Sequence, residues 1–264
     1  MKKNMILVLL VLVLAVLSGC RASQTTDSKD NSASEPQKAL TVAAASDLTK
    51  AFTEVGAAFE EANNCKVTFS FGSTGTLSEQ IVNGAPFDVF ASASQTVMDD
   101  LDSKAFIVSE TKQLYALGRI GLVTMKNSLI EAKTMEDLLN PEIKKIAIAN
   151  PDHAPYGLAA KQALTTAGLW ETLEPKLVYG NNISDTLSLI TTGNADTGFV
   201  ALSLYDQATL NFSLIDAKMH NPLKQSMAVI KGTKEEELGK KFVEYVNSEQ
   251  GREIMSRYGF VTTE

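Results

Sequence analysis

The chain has 264 residues and a formal charge of −7, from 24 basic and 31 acidic side chains. That balance argues against nucleic-acid binding, which demands a basic face, and long-range charge would repel an anion rather than gather it. Two cysteines and two histidines exclude a structural zinc cluster and a disulfide between two core cysteines.

Lys2 and Lys3 precede an almost wholly apolar run, residues 5–17, which is too short to span a bilayer comfortably. The run leads into Leu17-Ser18-Gly19-Cys20, which resembles a bacterial lipobox, cut before a cysteine that receives a diacylglyceryl group. Residues 1–19 therefore read as a lipoprotein signal peptide, and the mature chain begins at Cys20, its lipidation site and membrane anchor. Loss of Lys2 and Lys3 brings the mature charge near −9. Residues 20–37 are rich in Ser, Thr, Asp and Asn without apolar periodicity, the composition of a flexible tether. The remainder, from residue 38 to 264, is long enough for a sizeable core in one or two domains.

From residue 38 strands alternate with single helices. Residues 40–44 form a strand, and Leu48, Phe52, Val55 and Phe59 recur at helical spacing. Residues 66–71 read as a strand, 77–82 as the start of a helix ended by Asn83-Gly84, 88–91 as a strand, and Val97, Met98 and Leu101 as the apolar side of a helix. This is the pattern of parallel βαβ units. Residues 113–126 are extended and helix-free, so the chain crosses there into a second lobe. The alternation then resumes with strands at 145–149, 176–179 and 198–201 and helices at 157–167 and 184–191. Extended segments at 214–217 and 226–230 lead back to two closing helices, 234–247 and 249–258, the second stopped by Gly259. The domains are thus discontinuous: lobe 1 is 38–117 and 225–264, and lobe 2 is 118–224.

Three strands run into small-residue turns that open helices: Leu40-Thr41-Val42-Ala43-Ala44-Ala45-Ser46, Phe69-Ser70-Phe71-Gly72-Ser73-Thr74-Gly75-Thr76 and Asp88-Val89-Phe90-Ala91-Ser92-Ala93-Ser94. None holds Lys, Arg or His. Ligands of open α/β sheets lie beyond the carboxyl ends of the strands, where helix N-termini offer free N–H groups. Such turns suit an anion held by neutral donors, and so a binding protein.

Ala43-Ala44-Ala45-Ser46, the segments from Phe71 to Leu77 and from Gly84 to Ala93, Asn150-Pro151-Asp152-His153-Ala154-Pro155-Tyr156-Gly157, the segment from Gly198 to Ser203, and Arg257-Tyr258-Gly259-Phe260 stand in one order and spacing. Together they resemble the molybdate-binding proteins of ATP-binding-cassette (ABC) importers, from about Leu40 to Phe260. The resemblance implies an α/β, type II periplasmic-binding-protein fold: two doubly wound lobes with a ligand cleft between them. It implies capture of molybdate or tungstate and delivery to an ABC permease with its ATPase by a monomer, with no cofactor and no free metal cation.

Ser46 is expected to cap the first helix and to donate its hydroxyl. Thr74, where the family more often has Ser, keeps a hydroxyl donor, and Ala93 can offer only its amide. Tyr156 offers an amide or phenol across the cleft, and Ile183 its amide. Asp47 and Ser73 are further candidates. Some relatives carry a ligand tyrosine where this chain has Ala201, so a phenol must come from Tyr156 or the site has one hydroxyl fewer. His153 and His220 receive no role.

Iron would want carboxylate, His or Tyr ligands, and an organic acid a bidentate Arg. Sulfate, of the same shape and charge as molybdate but smaller, is the competing ligand. No nucleophile elbow, phosphate-binding loop, dinucleotide fingerprint or zinc-protease motif points to an enzyme.

Overall fold

The computed structural model describes residues 38–262; the expected signal peptide, the expected lipidation site Cys20 and the expected tether lie outside the described residues. β1 (Ala39–Ala45) passes through a 3-10 turn, Ser46–Leu48, into α1 (Thr49–Asn63). β2 (Lys66–Gly72), α2 (Thr74–Val82), β3 (Val89–Ser92) and α3 (Gln95–Ser103) come next. Each helix has a local cause. The apolar stripe of Phe52, Val55 and Phe59 seats α1 on the sheet, and Asn64 ends it in the left-handed conformation at φ 47°. Ser73 caps α2 by accepting the Thr76 amide, and Ser94 caps α3 through Val97. The Ser73 cap starts α2 at Thr74, three residues before the position expected from apolar spacing alone.

β4 (Gln113–Gly118) and β5 (Ile120–Met125) divide the expected extended stretch, with Arg119 alone between them. β4 joins the first sheet and β5 the second. The second half continues with β6 (Ile146–Ala149), α4 (Pro155–Thr166), α5 (Trp170–Leu173), β7 (Leu177–Gly180), α6 (Ile183–Thr191), β8 (Thr197–Ala201) and β9 (Leu210–Leu214). β10 (Leu223–Val229), α7 (Glu236–Asn247), α8 (Glu249–Arg257) and β11 (Val261–Thr262) close the chain. The six-stranded sheet runs β11-β4-β10-β3-β1-β2 and the five-stranded sheet β7-β6-β8-β5-β9. β1 lies parallel to both β2 and β3, and β6 parallel to β7 and β8. Single crossover helices therefore bring the carboxyl ends of these strands to a common edge in each sheet.

One expected strand is displaced. The segment foreseen at 214–217 is β9, which starts at Leu210 and pairs with β5. It stops at Leu214 because Asp216 caps a 3-10 turn, Ala217–Met219. The short α5 and β11 carry too little periodicity to be foreseen.

α7 and α8 return to the first sheet, packing on β10 and α1. Phe52, Phe59, Phe69 and Phe242 form one aromatic cluster there, with ring centroids between 5.2 and 6.2 Å apart. Cys65 is buried beside it as a free thiol.

Candidate functional site

The turns after β1, β2, β3, β6 and β7 meet at a small cavity of about 10 Å³. Ser46, Asp47, Ser73, Thr74, Ala93, Tyr156 and Ile183 all line it, with Ala45, Gly72, Ala154 and Pro155 completing the wall. No Lys, Arg or His is among the lining residues. A larger groove of about 590 Å³ adjoins it and shares Ala93, Ala154 and Pro155. Size does not choose between them: the buried hydroxyls and helix-opening amides converge on the small cavity.

Ser46 corrects one expectation. It is the first residue of the 3-10 turn, and no side-chain cap hydrogen bond starts either that turn or α1. Its hydroxyl instead accepts the Ser184 amide of α6 at 3.4 Å, while Ser184 Oγ donates to Ser46 O at 3.0 Å. The extra 3-10 turn moves the N-terminus of α1 beyond reach of Ser46.

Thr74 occupies the first position of α2 and is buried, with Oγ1 accepting the Ala93 amide at 3.0 Å. The Ala93 N–H, expected to face the ligand, is thus given to Thr74. The Thr74 hydroxyl proton stays available, because the Ala93 bond uses only a lone pair.

Ile183 opens α6, and Asn182 caps that helix through the Ser184 and Asp185 amides. Tyr156 follows Pro155 in the first turn of α4. Both main-chain amides belong to a first turn, where N–H groups have no intrahelical carbonyl to bond and the helix dipole favours negative charge.

The Tyr156 phenol is directed elsewhere. It donates to Asp47 Oδ2 at 3.0 Å and accepts from Gln225 Nε2 at 3.1 Å. Gln225 Nε2 also donates to Asp47 Oδ2 at 2.6 Å, and Tyr115 donates to Gln225 Oε1 at 2.9 Å. Ser203 Oγ donates to the Asp47 carbonyl at 2.7 Å. All five residues are buried. Among the described residues, Asp47 Oδ1 is buried without a hydrogen-bond partner.

The neutral lining expected from the turns therefore has one exception, the acidic residue Asp47. Burial raises the Asp47 pKa from 3.8 to about 6, against the opposing effects of the Gln225 and Tyr156 hydrogen bonds and of its own main-chain N–H. Burial also lifts the Tyr115 and Tyr156 phenols well above 10, with the Asp47 charge adding to it.

His153 joins the two halves at this edge. Its carbonyl accepts the Gly75 amide at 2.9 Å, and its Nδ1 lies 2.9 Å from Ser73 Oγ. Gly75 permits the approach: a Cβ there would stand 2.8 Å from His153 Cβ and 2.9 Å from its carbonyl oxygen. Lys50 Nζ of α1 donates to the carbonyls of Leu204 and Tyr205 at 2.9 and 3.1 Å.

Sequence reasoning passed over Gln225, Tyr115, Ser184 and Ser203, and gave His153 no role. Gln225 alone left a readable trace, as an uncharged amide inside the buried run of β10. Ala201 is buried at the end of β8 and is absent from the cavity lining. Among the described residues there is no His, Cys, Asp or Glu group placed to hold a metal ion, and no helix long and apolar enough to cross a membrane.

Two α/β lobes with a cavity of first-turn amides and hydroxyls at their strand ends define a type II periplasmic-binding-protein fold. Comparison with known proteins agrees. The Molybdate-binding protein ModA of Rhodobacter capsulatus is 33% identical over 221 residues, covering 83% of this chain and 87% of that protein. YvgL of Bacillus subtilis (strain 168), named as a candidate ABC transporter substrate-binding lipoprotein, is 28% identical over 263 residues and covers 98% of each chain. The solved periplasmic molybdate-binding protein of Azotobacter vinelandii matches with TM-score 0.80 at 30% identity, over 85% of this chain and 100% of that one. Residues 40–261 match the family model for Bacterial extracellular solute-binding protein, and the chain belongs to that family. Membership implies an extracytoplasmic location.

Proposed function

We propose that this protein captures molybdate, or tungstate, in the cavity between its lobes and hands it to an ABC permease with its ATPase. The observation that carries the reading is the convergence of the Ser46 and Thr74 hydroxyls with the first-turn amides of Tyr156 and Ile183 on one cavity without a basic side chain. Local dipoles and hydrogen bonds supply the attraction that net charge does not. The relatives named for molybdate binding support the choice of ligand. Ala93 serves by orienting Thr74, and Ser73 by capping α2 and meeting His153.

In this reading lobe 1 comprises 38–117 and 225–264 and lobe 2 comprises 118–224, so an anion touching both favours the closed arrangement. The protein acts as a monomer without cofactor, and it binds rather than catalyses. Lipidated Cys20 keeps it at the membrane, and the tether over 20–37 gives it room to dock; YvgL, similar over nearly the whole chain, carries the lipoprotein description in its name.

Calorimetry against molybdate, tungstate, sulfate and phosphate tests the ligand. Molybdate and tungstate should bind tightly and the other two far more weakly; sulfate affinity equal to that for molybdate would sink the reading. Ser46→Ala should weaken molybdate binding roughly 10- to 150-fold, the worth of a hydrogen bond to a charged group. Because Ser46 caps no helix, the variant should unfold close to the wild type. A folded variant with unchanged affinity would remove Ser46 from the site.

A further inference from the structure

Asp47 is among the residues lining the cavity read as the anion site, and an ionised carboxylate close to a dianion is repelled by it. The two oxygens of the Asp47 carboxyl have different surroundings. Oδ2 receives two donors, Tyr156 O–H and Gln225 Nε2–H, so it is fixed as an acceptor. The Gln225 orientation is set in turn, because Tyr115 O–H donates to its Oε1. Oδ1 is buried and unpartnered among the described residues. A proton added to this carboxyl therefore has one place to go, Oδ1, since Oδ2 already faces two hydrogens.

We propose that Asp47 is a proton-carrying donor of the site: capture of a tetrahedral dianion draws one proton from solvent onto Asp47 Oδ1, which then donates to an anion oxygen. The inference rests on reading the cavity as the anion site. The step balances simply: carboxylate, proton and dianion become carboxylic acid hydrogen-bonded to dianion, with no other bond made or broken.

The side chains hydrogen-bonded to Asp47 include no competing proton acceptor; at the cavity edge the His153 imidazole meets Ser73, so substitutions at Asp47 and at His153 are what assign the proton. The titratable groups facing Asp47 are the Tyr115 phenol on β4 and the Tyr156 phenol on α4, both kept protonated by burial. Gln225 on β10 and Ser203 in the 3-10 turn Leu202–Leu204 are neutral. No basic side chain lines the cavity to compensate a carboxylate. Burial has already brought the carboxyl to about 6 without an anion's charge, within reach of neutral pH. A neighbouring dianion can only raise it further.

The test is titration calorimetry of the full chain with sodium molybdate at about pH 8, in buffers of differing ionisation enthalpy, which counts protons taken up. Close to one proton per anion is expected, and affinity should fall toward tenfold per pH unit above about pH 7. Asp47→Asn, which keeps a donor without a titration, should bind molybdate with no proton uptake and flat pH dependence. Wild-type binding without proton uptake and with flat affinity would overturn the inference while leaving the ligand reading intact. A variant that kept the wild-type proton count would overturn it too. No molybdate binding by the wild type would overturn the ligand reading and this inference with it. Should Asp47→Asn not fold, His153→Gln serves instead: proton uptake that persists in it supports Asp47, and uptake lost with it overturns the inference.

Discussion

Gly118→Ala is expected to lower the free energy of unfolding by about 3–5 kcal/mol, the cost of breaking into a buried charged network. Gly118 ends β4, one residue before the chain enters the second sheet. A Cβ there would collide with Tyr156 Oη and stand 2.8 Å from Gln225 Nε2. Neither side chain can retreat, because both are buried and both are held on Asp47 Oδ2. Displacing them leaves the carboxylate without its only side-chain donors among the described residues. Denaturant titration at neutral pH measures the loss. A variant within about 1 kcal/mol of the wild type would mean that the network shifts freely and does not depend on this close approach.

The second large effect is a pH-dependent difference between the wild type and Asp47→Asn. The folded carboxyl titrates at about 6 against 3.8 for an aspartate free in water, so between these values the folded state binds more protons than the unfolded state. Stability from this group is fully present below about pH 4 and falls as pH rises through about 6. The total is about 3 kcal/mol, complete by about pH 7. The Asn variant lacks this titration while its carboxamide oxygen still accepts from Gln225. Its stability relative to wild type should therefore climb by about 3 kcal/mol from pH 4 to pH 7 and then level off. Subtracting the two curves cancels the other carboxylates. Parallel curves across that range would show that Asp47 titrates near its ordinary value and is solvated in the folded protein.

Local features of this chain are written in its residues. The helices arise from stripes such as Phe52, Val55 and Phe59, and small residues at Ala45-Ser46, Gly72-Ser73 and Ala93-Ser94 mark where strands pass into helical turns. These signals span a few residues and depend on neighbours in the chain. The directions of polar side chains are a different matter. Asp47 and Gln225 are 178 residues apart, and their hydrogen bond exists only because β10 returns to the first sheet beside the Ser46–Leu48 turn. Tyr156 likewise aims its phenol at Asp47 across 109 residues. Spacing could name Tyr156 as a donor but not say to what. The misplaced Ser46 cap has a similar origin, since a serine before a helix reads the same whether the helix starts at once or after one tighter turn.

Five of the eleven residues lining the cavity are alanine, glycine or proline: Ala45, Gly72, Ala93, Ala154 and Pro155. A binding site lined by long side chains can be retuned by changing rotamers, but a rim of alanine, glycine and proline has none to change. Nearly every substitution there adds atoms, so mutation can narrow this aperture and scarcely widen it. Drift toward bulkier cargo would have to begin at the contacts that set how closely the halves approach, such as Gly75 against His153. Selectivity in such a protein is inherited through the spacing of its scaffold, and its evolutionary history should be sought in those docking residues rather than in the shell that touches the cargo.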